Sequence, residues 1–391
     1  MHRQTSVGWA GDNRGVSRAL AEVNLAAVVN NVLTLKSAAP DSQLLAVVKA
    51  DGYGHGMIPV ARAARSAGAD YLGVAMPEEA IAVRESGDGG PLLCWLYAPS
   101  DDLAELVDRN VDLSVSSVES LEQVVAAARR VDRAARVHLK IDTGLGRNGA
   151  TPADWEALVA GSLVRQGQGV IEIVGIWSHL ACSDEPQSPV TGQQVEAFQT
   201  ALAQADSLGL VPRLRHLANS GGTLWHPDTH FDMVRCGISV YGLSPGAAVG
   251  SSAALGLIPA MNVTAQVAMV KRVPGGHGVS YGLRYRTRRA TQLALVPVGY
   301  ADGLPRSGSG RLPVMIAGKR FTVAGTVAMD QVVIDIGDTR VRAGDQVQLF
   351  GSGSHGEPTA DDWAEACGTI NYEIVTRLGP RLPRRHLSGA A

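Results

Sequence analysis

Lys49 is the residue most suited to covalent chemistry. It stands at the end of the apolar stretch Leu44–Val48, and three glycines follow, with Tyr53 and His55 between them (LLAVVKADGYGHG). An ammonium set against an apolar strand loses hydration, which lowers its pKa below the reference ~10.4 and exposes a nucleophilic amine. Such an amine forms a Schiff base with an aldehyde. A strand-end lysine with a buried stem and a tip in water has the same local sequence, so this stretch alone leaves both readings open.

Other polar residues recur at the ends of apolar runs. Lys140, Asp142 and Arg147 lie in KIDTGLGRNG, His179 closes Ile171–Leu180, and His216, Asn219 and Ser220 lie in LRHLANSGG. Arg235, Gly237 and Ile238 lie in VRCGISVYG. One buried histidine or one glycine turn is ordinary; several such residues converging on one rim are not. The Asn219–Gly222 loop offers a hydroxyl and unhindered amides, a phosphate cradle to which Gly237 and Ile238 could add two amides. A reactive lysine and a phosphate cradle together suggest a cofactor with an aldehyde and a phosphate. Pyridoxal 5′-phosphate carries both.

The elements that must position these groups alternate. Strands are expected at Leu44–Ala50, Tyr71–Met76, Pro91–Tyr97, Val111–Ser117, Arg136–Gly144, Ile171–Leu180, Leu214–Gly222 and Met233–Leu243. Amphipathic segments such as Pro77–Ser86, Val118–Arg130 and Gly192–Leu208 separate them, and Asn24 is placed to cap a helix before the first. Eight strands with intervening helices imply an α/β fold, a (β/α)8 TIM barrel, whose chemistry gathers at the C-terminal strand ends. Ser244–Leu257 is small-residue and glycine-rich, and β-type segments joined by turns follow, with one short helix expected near Ala360–Cys367. The expected organisation is a flexible tail over 1–17, a cofactor-binding barrel over 18–250 and a C-terminal all-β domain over 251–391.

Composition narrows the class. With 391 residues, 45% hydrophobic and 18% charged, the chain suits two globular domains. A net charge of −2 argues against a partner that is nucleic acid or an anionic membrane. The four cysteines have no metal-ligand or disulfide spacing, which favours the cytoplasm and gives no metal site. No apolar run approaches the ~18 residues of a membrane span.

The motifs AVVKADGYGHG, HLKIDTGLGRNG, HLANSGG, MVRCGISVYG, VSYGLRY, VGYADG, AMDQ and INYEI, in this order, resemble those of the alanine racemase family, from about Ala19 to Pro383. The resemblance implies a barrel that binds pyridoxal 5′-phosphate, followed by a β domain, in a head-to-tail homodimer with shared active sites. It implies an isomerase interconverting L- and D-alanine and supplying D-alanine for peptidoglycan. Lys49 matches the lysine that carries the cofactor and shuttles one proton, and Tyr281 in VSYG the opposing base, given by the partner's β domain. Tyr53, Ser220, Gly237, Ile238 and Tyr372 match the surroundings of the cofactor phosphate, with His179 and Asn219 also among the cofactor-binding positions. Arg235 is similar to the arginine facing the pyridine nitrogen. Arg147 matches the arginine near the cofactor phenolate and substrate carboxylate. Met329 in AMDQ matches the residue whose backbone meets that carboxylate, and Tyr300 pairs with Tyr372 in narrowing the approach. Lys140 (carbamylated in some relatives), His216 and Asp330 match supporting positions, and a chain from Tyr281 through His179 and Arg235 to His216 is implied.

These roles suit racemisation, which takes a Cα proton from one face and returns one to the other, a task for two bases on opposite sides. A phenol has a reference pKa near ~10, so a tyrosine acting as base needs positive neighbours. Three rivals share parts of the pattern. A barrel concerned only with cofactor homeostasis would lack the β domain and Tyr281. A decarboxylase of the same layout would not carry KADGYGHG, AMDQ and VSYG together. A cofactor-free barrel acting on sugar phosphates leaves Lys49 and the β-domain motifs unexplained.

Overall fold

The structure, a computed structural model, describes residues 17–388. Apart from Ser17, the tail expected over residues 1–17 lies outside the described residues. The described chain forms two compact units. One contains residues 23–261 with 371–377; the other contains 262–370 with 378–385, joined by the residues just before 23.

In the first unit, Asn24 caps the helix Leu25–Ala38, its Oδ1 accepting from the amides of Ala26 (3.0 Å) and Ala27 (3.3 Å). That helix buries Ala27, Val28, Asn31, Val32 and Leu35, a stripe of helical period, on the unit's core. After β1 (Ala19–Asn24), which belongs to the other unit's sheet, come eight parallel strands. They are β2 (Gln43–Val47), β3 (Tyr71–Val74), β4 (Leu92–Cys94), β5 (Asp112–Val115), β6 (Ala135–Lys140), β7 (Ile171–Trp177), β8 (Leu214–His216) and β9 (Met233–Cys236). Their order is β8-β7-β6-β5-β4-β3-β2-β9. Two backbone bonds close the ring between β8 and β9, Asp232 N to Arg215 O and Arg235 N to Ala218 O, both 3.0 Å. β3 and β5 are buried at every residue, as expected where helices cover one face and packed side chains fill the other.

The barrel expected from the sequence is thus present, with shorter strands. β2 stops at Val47, so Lys49 lies beyond the strand rather than at its end. The run expected over Leu214–Gly222 yields to a helix, Ser220–Trp225, once Asn219 caps it through Gly222 N at 3.0 Å. The run over Met233–Leu243 turns at Gly237 into a 3-10 turn, Ile238–Tyr241.

The second unit is strand-rich. A six-stranded sheet runs in the order Lys319–Thr322, Pro313–Ile316, Gln346–Phe350, Met261–Gln266, β1, Arg384–Leu387. A three-stranded antiparallel sheet joins Met269–Val273, Thr291–Val296 and Val332–Gly337. The helix Ala360–Cys367 is capped by Thr359 and packs Trp363 against Phe350. A single boundary near residue 250 does not describe this division. β1 pairs its backbone in the second unit's sheet, while Asn371–Arg377 packs in the first, where Asn371 Nδ2 donates to Ser244 O at 2.9 Å.

Candidate active site

Lys49 follows β2 through Val48, whose amide donates to Gly73 O at 2.8 Å. The next five residues, Ala50 to Gly54, all have positive φ, between 51° and 77°. A left-handed turn costs about 1–2 kcal/mol for each non-glycine residue, so other groups must hold it. Glu79 accepts from Ala50 N at 2.6 Å with one carboxylate oxygen and from Ala75 N (2.9 Å) and Met76 N (3.1 Å) with the other. Asp51 accepts from Met57 N at 2.8 Å. At Gly54, a Cβ would lie 2.4 Å from Val375 O, so only glycine fits the close approach. The amine of Lys49 lies 5.9 Å from the ring centres of both Tyr53 and Trp95. Burial lowers its pKa, and Arg147 lowers it further, against the opposing pull of Glu79.

Trp177, the last residue of β7, is the plate on which the neighbouring cations rest. Lys140 Nζ lies 4.3 Å and Arg235 Cζ 4.7 Å from its ring centre, and the ring stacks on His216 at 5.6 Å and 4°. Arg235 donates to Ser178 O (2.7 Å), His216 Nδ1 (3.2 Å), Leu217 O (3.2 Å) and His179 Nδ1 (3.3 Å). Burial pushes Arg235 down to about 9, still above neutrality, so the guanidinium keeps its charge. Burial and the charge of Arg235 hold His179 and His216 well below the ordinary histidine value, so both rings are neutral. Burial, then Arg235 and Arg147, bring Lys140 down to about 7. Carboxylates oppose these shifts only in part: Glu79 pulls Lys49 back up and Asp142 does the same for Lys140.

Tyr53, Tyr241 and Tyr372 cluster on the other side, with Tyr53 4.9 Å from Tyr241 and 6.3 Å from Tyr372 between ring centres. Tyr241 donates to Val47 O at 2.9 Å, fixing the approach to Lys49. Ser220 Oγ accepts from Gly237 N (3.0 Å) and Ser239 N (3.4 Å). A Cβ on Gly237 would lie 2.4 Å from Tyr53 Oη, so the backbone passes tightly beside that hydroxyl. Ile238, buried, opens the turn after it. Asn219 has a different job from its neighbour: its Oδ1 is occupied by Gly222 N and Ser183 Oγ (2.7 Å).

The first unit therefore brings together Lys49, Tyr53, Lys140, Arg147, His179, His216, Asn219, Ser220, Arg235, Gly237, Ile238 and Tyr372. The second groups the remaining sequence candidates. Tyr281 sits between Ser280 (φ 60°) and Gly282 (φ 75°), and its carbonyl accepts from Thr326 Oγ1 at 2.9 Å. Ser280 Oγ donates back to Thr326 O at 2.6 Å. Elsewhere in this unit, Tyr300 N donates to Ala328 O (3.0 Å) and Ala301 N to Met329 O (2.9 Å). Asp330 pairs with Arg381 at 2.7 Å. The side chains of Tyr281, Tyr300 and Met329 are 71%, 40% and 52% exposed.

Sequence reasoning missed Glu79, Trp95 and Trp177. Glu79 had a signal, an acid three residues after Met76, the residue that precedes the helix start at Pro77. A tryptophan closing an apolar strand, as in IEIVGIW, marks burial but not which cations rest on it.

A parallel eight-stranded barrel with a buried lysine just beyond one strand, among arginines and a second lysine that lower its pKa, has the layout of a barrel enzyme with a nucleophilic amine at its rim. Residues 23–245 match the family described as alanine racemase, N-terminal domain, and residues 260–386 that described as alanine racemase, C-terminal domain. The chain is 55% identical over 370 residues to an alanine racemase of Frankia casuarinae, covering 95% of this chain and 96% of that one. The alanine racemase structure from a D-cycloserine-producing Streptomyces lavendulae superposes with a TM-score of 0.95 at 51% identity, covering 96% of this chain and 99% of that one. The one from Streptomyces coelicolor A3(2) gives 0.94 at 51% identity, covering 95% and 98%. The chain belongs to the alanine racemase family.

Proposed function

We propose that this chain interconverts L- and D-alanine with pyridoxal 5′-phosphate bound in its barrel, by two bases on opposite faces of the substrate. The supporting observation is family membership along nearly the whole chain together with Lys49 held, amine-rich, at the barrel rim. The site's residues suit that cofactor. Arg235, Arg147 and the two lysines beside them favour an anion, and the Ser220 hydroxyl, whose oxygen accepts from Gly237 N, keeps its own proton to donate to a phosphate beside the Tyr53 hydroxyl. When bound, the cofactor supplies an aldehyde that joins the substrate amine and a conjugated ring that takes up the electron pair left by the Cα proton.

The protein's own residues do the rest. Lys49 would hold the aldehyde carbon in the resting enzyme and, released as a free amine when the substrate amine takes its place, would accept or return the Cα proton on its face. Tyr53, Ser220, Gly237, Ile238 and Tyr372 hold the phosphate. Arg235, charged and pinned by four hydrogen bonds, would face the ring nitrogen and, by its charge, keep a proton off it, which would temper the ring's pull on electrons. Arg147 takes the substrate carboxylate. Lys140, at about 7, keeps much of its amine uncharged at neutral pH, the form that can take up carbon dioxide as a carbamate beside Arg147.

The partner subunit's Tyr281 serves the opposite face, with the partner's Tyr300 and Met329 shaping the approach. The enzyme is then a head-to-tail homodimer whose sites need both chains. We place it in the cytoplasm, where Cys94, Cys182 and Cys236 remain free thiols, with D-alanine destined for peptidoglycan. Incubating the holoenzyme with either pure enantiomer of alanine tests this: chiral chromatography should show both starting points reaching the same racemic mixture. An unchanged enantiomer from either side overturns the reading.

A further inference from the structure

A buried polar chain crosses the inside of the barrel beneath the site. Arg235 Nη1 donates to His216 Nδ1 at 3.2 Å, His216 Nε2 meets His138 Nδ1 at 2.9 Å, and His138 Nε2 meets Asp112 Oδ2 at 3.1 Å. Both histidines are fully buried, and Asp112 and Arg235 are 1% and 4% exposed. Asp112 also accepts from Arg136 Nε at 2.6 Å and Tyr71 Oη at 3.3 Å, and Arg136 continues to Glu172 at 3.0 Å. Tyr71 and Asp112 open their strands and Arg136 is second in its own, whereas His216 closes β8. The chain thus links the N-terminal mouth of the barrel to the rim that carries the chemistry.

The proton positions follow from the donors available. A guanidinium only donates, so His216 Nδ1 must present its lone pair to Arg235. His216 is neutral, so its one proton sits on Nε2 and is donated to His138 Nδ1. The proton of His138 is then on Nε2, facing the Asp112 carboxylate. Every donor points towards Asp112, and reversing any link sets two donors face to face. The same logic at His179 puts the lone pair on Nδ1, towards Arg235, and leaves the proton on Nε2.

The backbone is built for this contact. The β6–β7 register shifts between Val137 and His138, so that Gly175 rather than Val174 faces His138. Such a bulge re-aims a side chain. A Cβ on Gly175 would lie 2.7 Å from His138 Nδ1, in the space the hydrogen bond from His216 uses.

We propose that Asp112 and His138 are positioning residues for the reaction: they fix His216 in the Nε2–H tautomer, which keeps Arg235 aimed at the site. This rests on the role given to Arg235 above. The carboxylate at the far end polarises each successive bond, as an outer-shell carboxylate does behind a ligating histidine.

The test is nitrogen NMR of the holoenzyme labelled with 15N in its histidine rings. In the wild-type protein, His138 and His216 should both read as neutral Nε2–H rings; an Nδ1–H ring at His216 overturns the proposal without any variant. Asp112→Asn keeps the shape but removes the charge and sets an amide donor against Arg136 or His138. It should bring the second tautomer into His216 and lower kcat about tenfold or more, with KM for alanine nearly unchanged. Tyr71→Phe removes another hydrogen bond to the same carboxylate but leaves its charge, and should keep both tautomer and kcat. Unchanged His216 signals and kcat in Asp112→Asn, or an equal loss in Tyr71→Phe, overturn the proposal. A wild-type protein that fails to racemise alanine overturns the functional reading instead, while the ring signals decide the proton order by themselves.

Discussion

The barrel unit and the strand-rich unit prepare their polar side chains in opposite ways. In the barrel, the groups are made reactive by what surrounds them. Lys49 and Lys140 are pushed towards the free amine by burial and by neighbouring arginines, and His179 and His216 are kept neutral beside Arg235. In the strand-rich unit, Tyr281, Tyr300 and Met329 project from a backbone locked by Thr326, Ala328 and a run of positive-φ residues, yet their side chains stand exposed. One region supplies environment, the other supplies position. A group given only position draws its chemistry from whatever it is presented to, which is what the proposed sharing of a site between subunits would require.

The strongest break in that comparison is the loss of the barrel's amine. Lys49→Ala should lower racemisation by about 10⁴-fold or more, since the attachment point and one base go together. Borohydride treatment, which should label Lys49 in the holoenzyme, should leave the variant unlabelled. Full activity in Lys49→Ala would remove the barrel's claim to the chemistry.

Next in size is the loss of the positioned tyrosine. Tyr281→Phe should cost about 10²–10⁴-fold as a homodimer. Mixed with Lys49→Ala subunits under mild denaturation and re-assembled, it should recover activity, because one of the two composite sites in each heterodimer has both bases. With random association, about a quarter of all sites should work. Heterodimers that remain inactive would show that Tyr281 serves its own barrel.

Two glycines sharpen the contrast further. Gly54 (φ 77°) and Gly325 (φ 75°) have backbone carbonyls 2.4 Å (Val375) and 2.7 Å (Val279) from where a Cβ would stand. Alanine at either should destabilise by about 2 kcal/mol in denaturant melts. Gly54→Ala should disturb the turn after Lys49 and slow borohydride labelling. Gly325→Ala should leave labelling intact and lower kcat, through the misplaced Tyr281 loop.

The smallest effect is one of pH. The folded value of Lys140, about 7, lies below its unfolded 10.5. Between those values the unfolded chain binds more protons, so stability of the cofactor-free protein should rise with pH from this group. Lys140→Met, which cannot titrate, should flatten that rise by about 1–2 kcal/mol between pH 7 and 9; an unaltered slope would mean the lysine is solvated.

Much of this was legible in the chain itself. The alternation of apolar strands and amphipathic helices announces the barrel because strands such as β3 and β5 are buried on both faces and helices such as Val118–Arg130 on one. Strand ends were less legible. β2, β8 and β9 stop early because capping and glycine conformations cut the ladder, and those depend on a carboxylate from Glu79 or a hydroxyl from Ser220. The tryptophan plate was invisible for a related reason: an apolar strand residue shows burial but not its neighbours.

The order of elements, the types of reacting groups and their places near strand ends are determined by the sequence alone, because hydrophobic period and glycine punctuation are local properties. The tertiary structure decided what those groups are chemically. Whether Lys49 is an amine or an ammonium depends on burial and on Arg147, nearly a hundred residues away. The proton order from Arg235 to Asp112 depends on four strands closing into one ring. Desolvation and hydrogen bonding act through space, and only the closed barrel brings those residues within their reach.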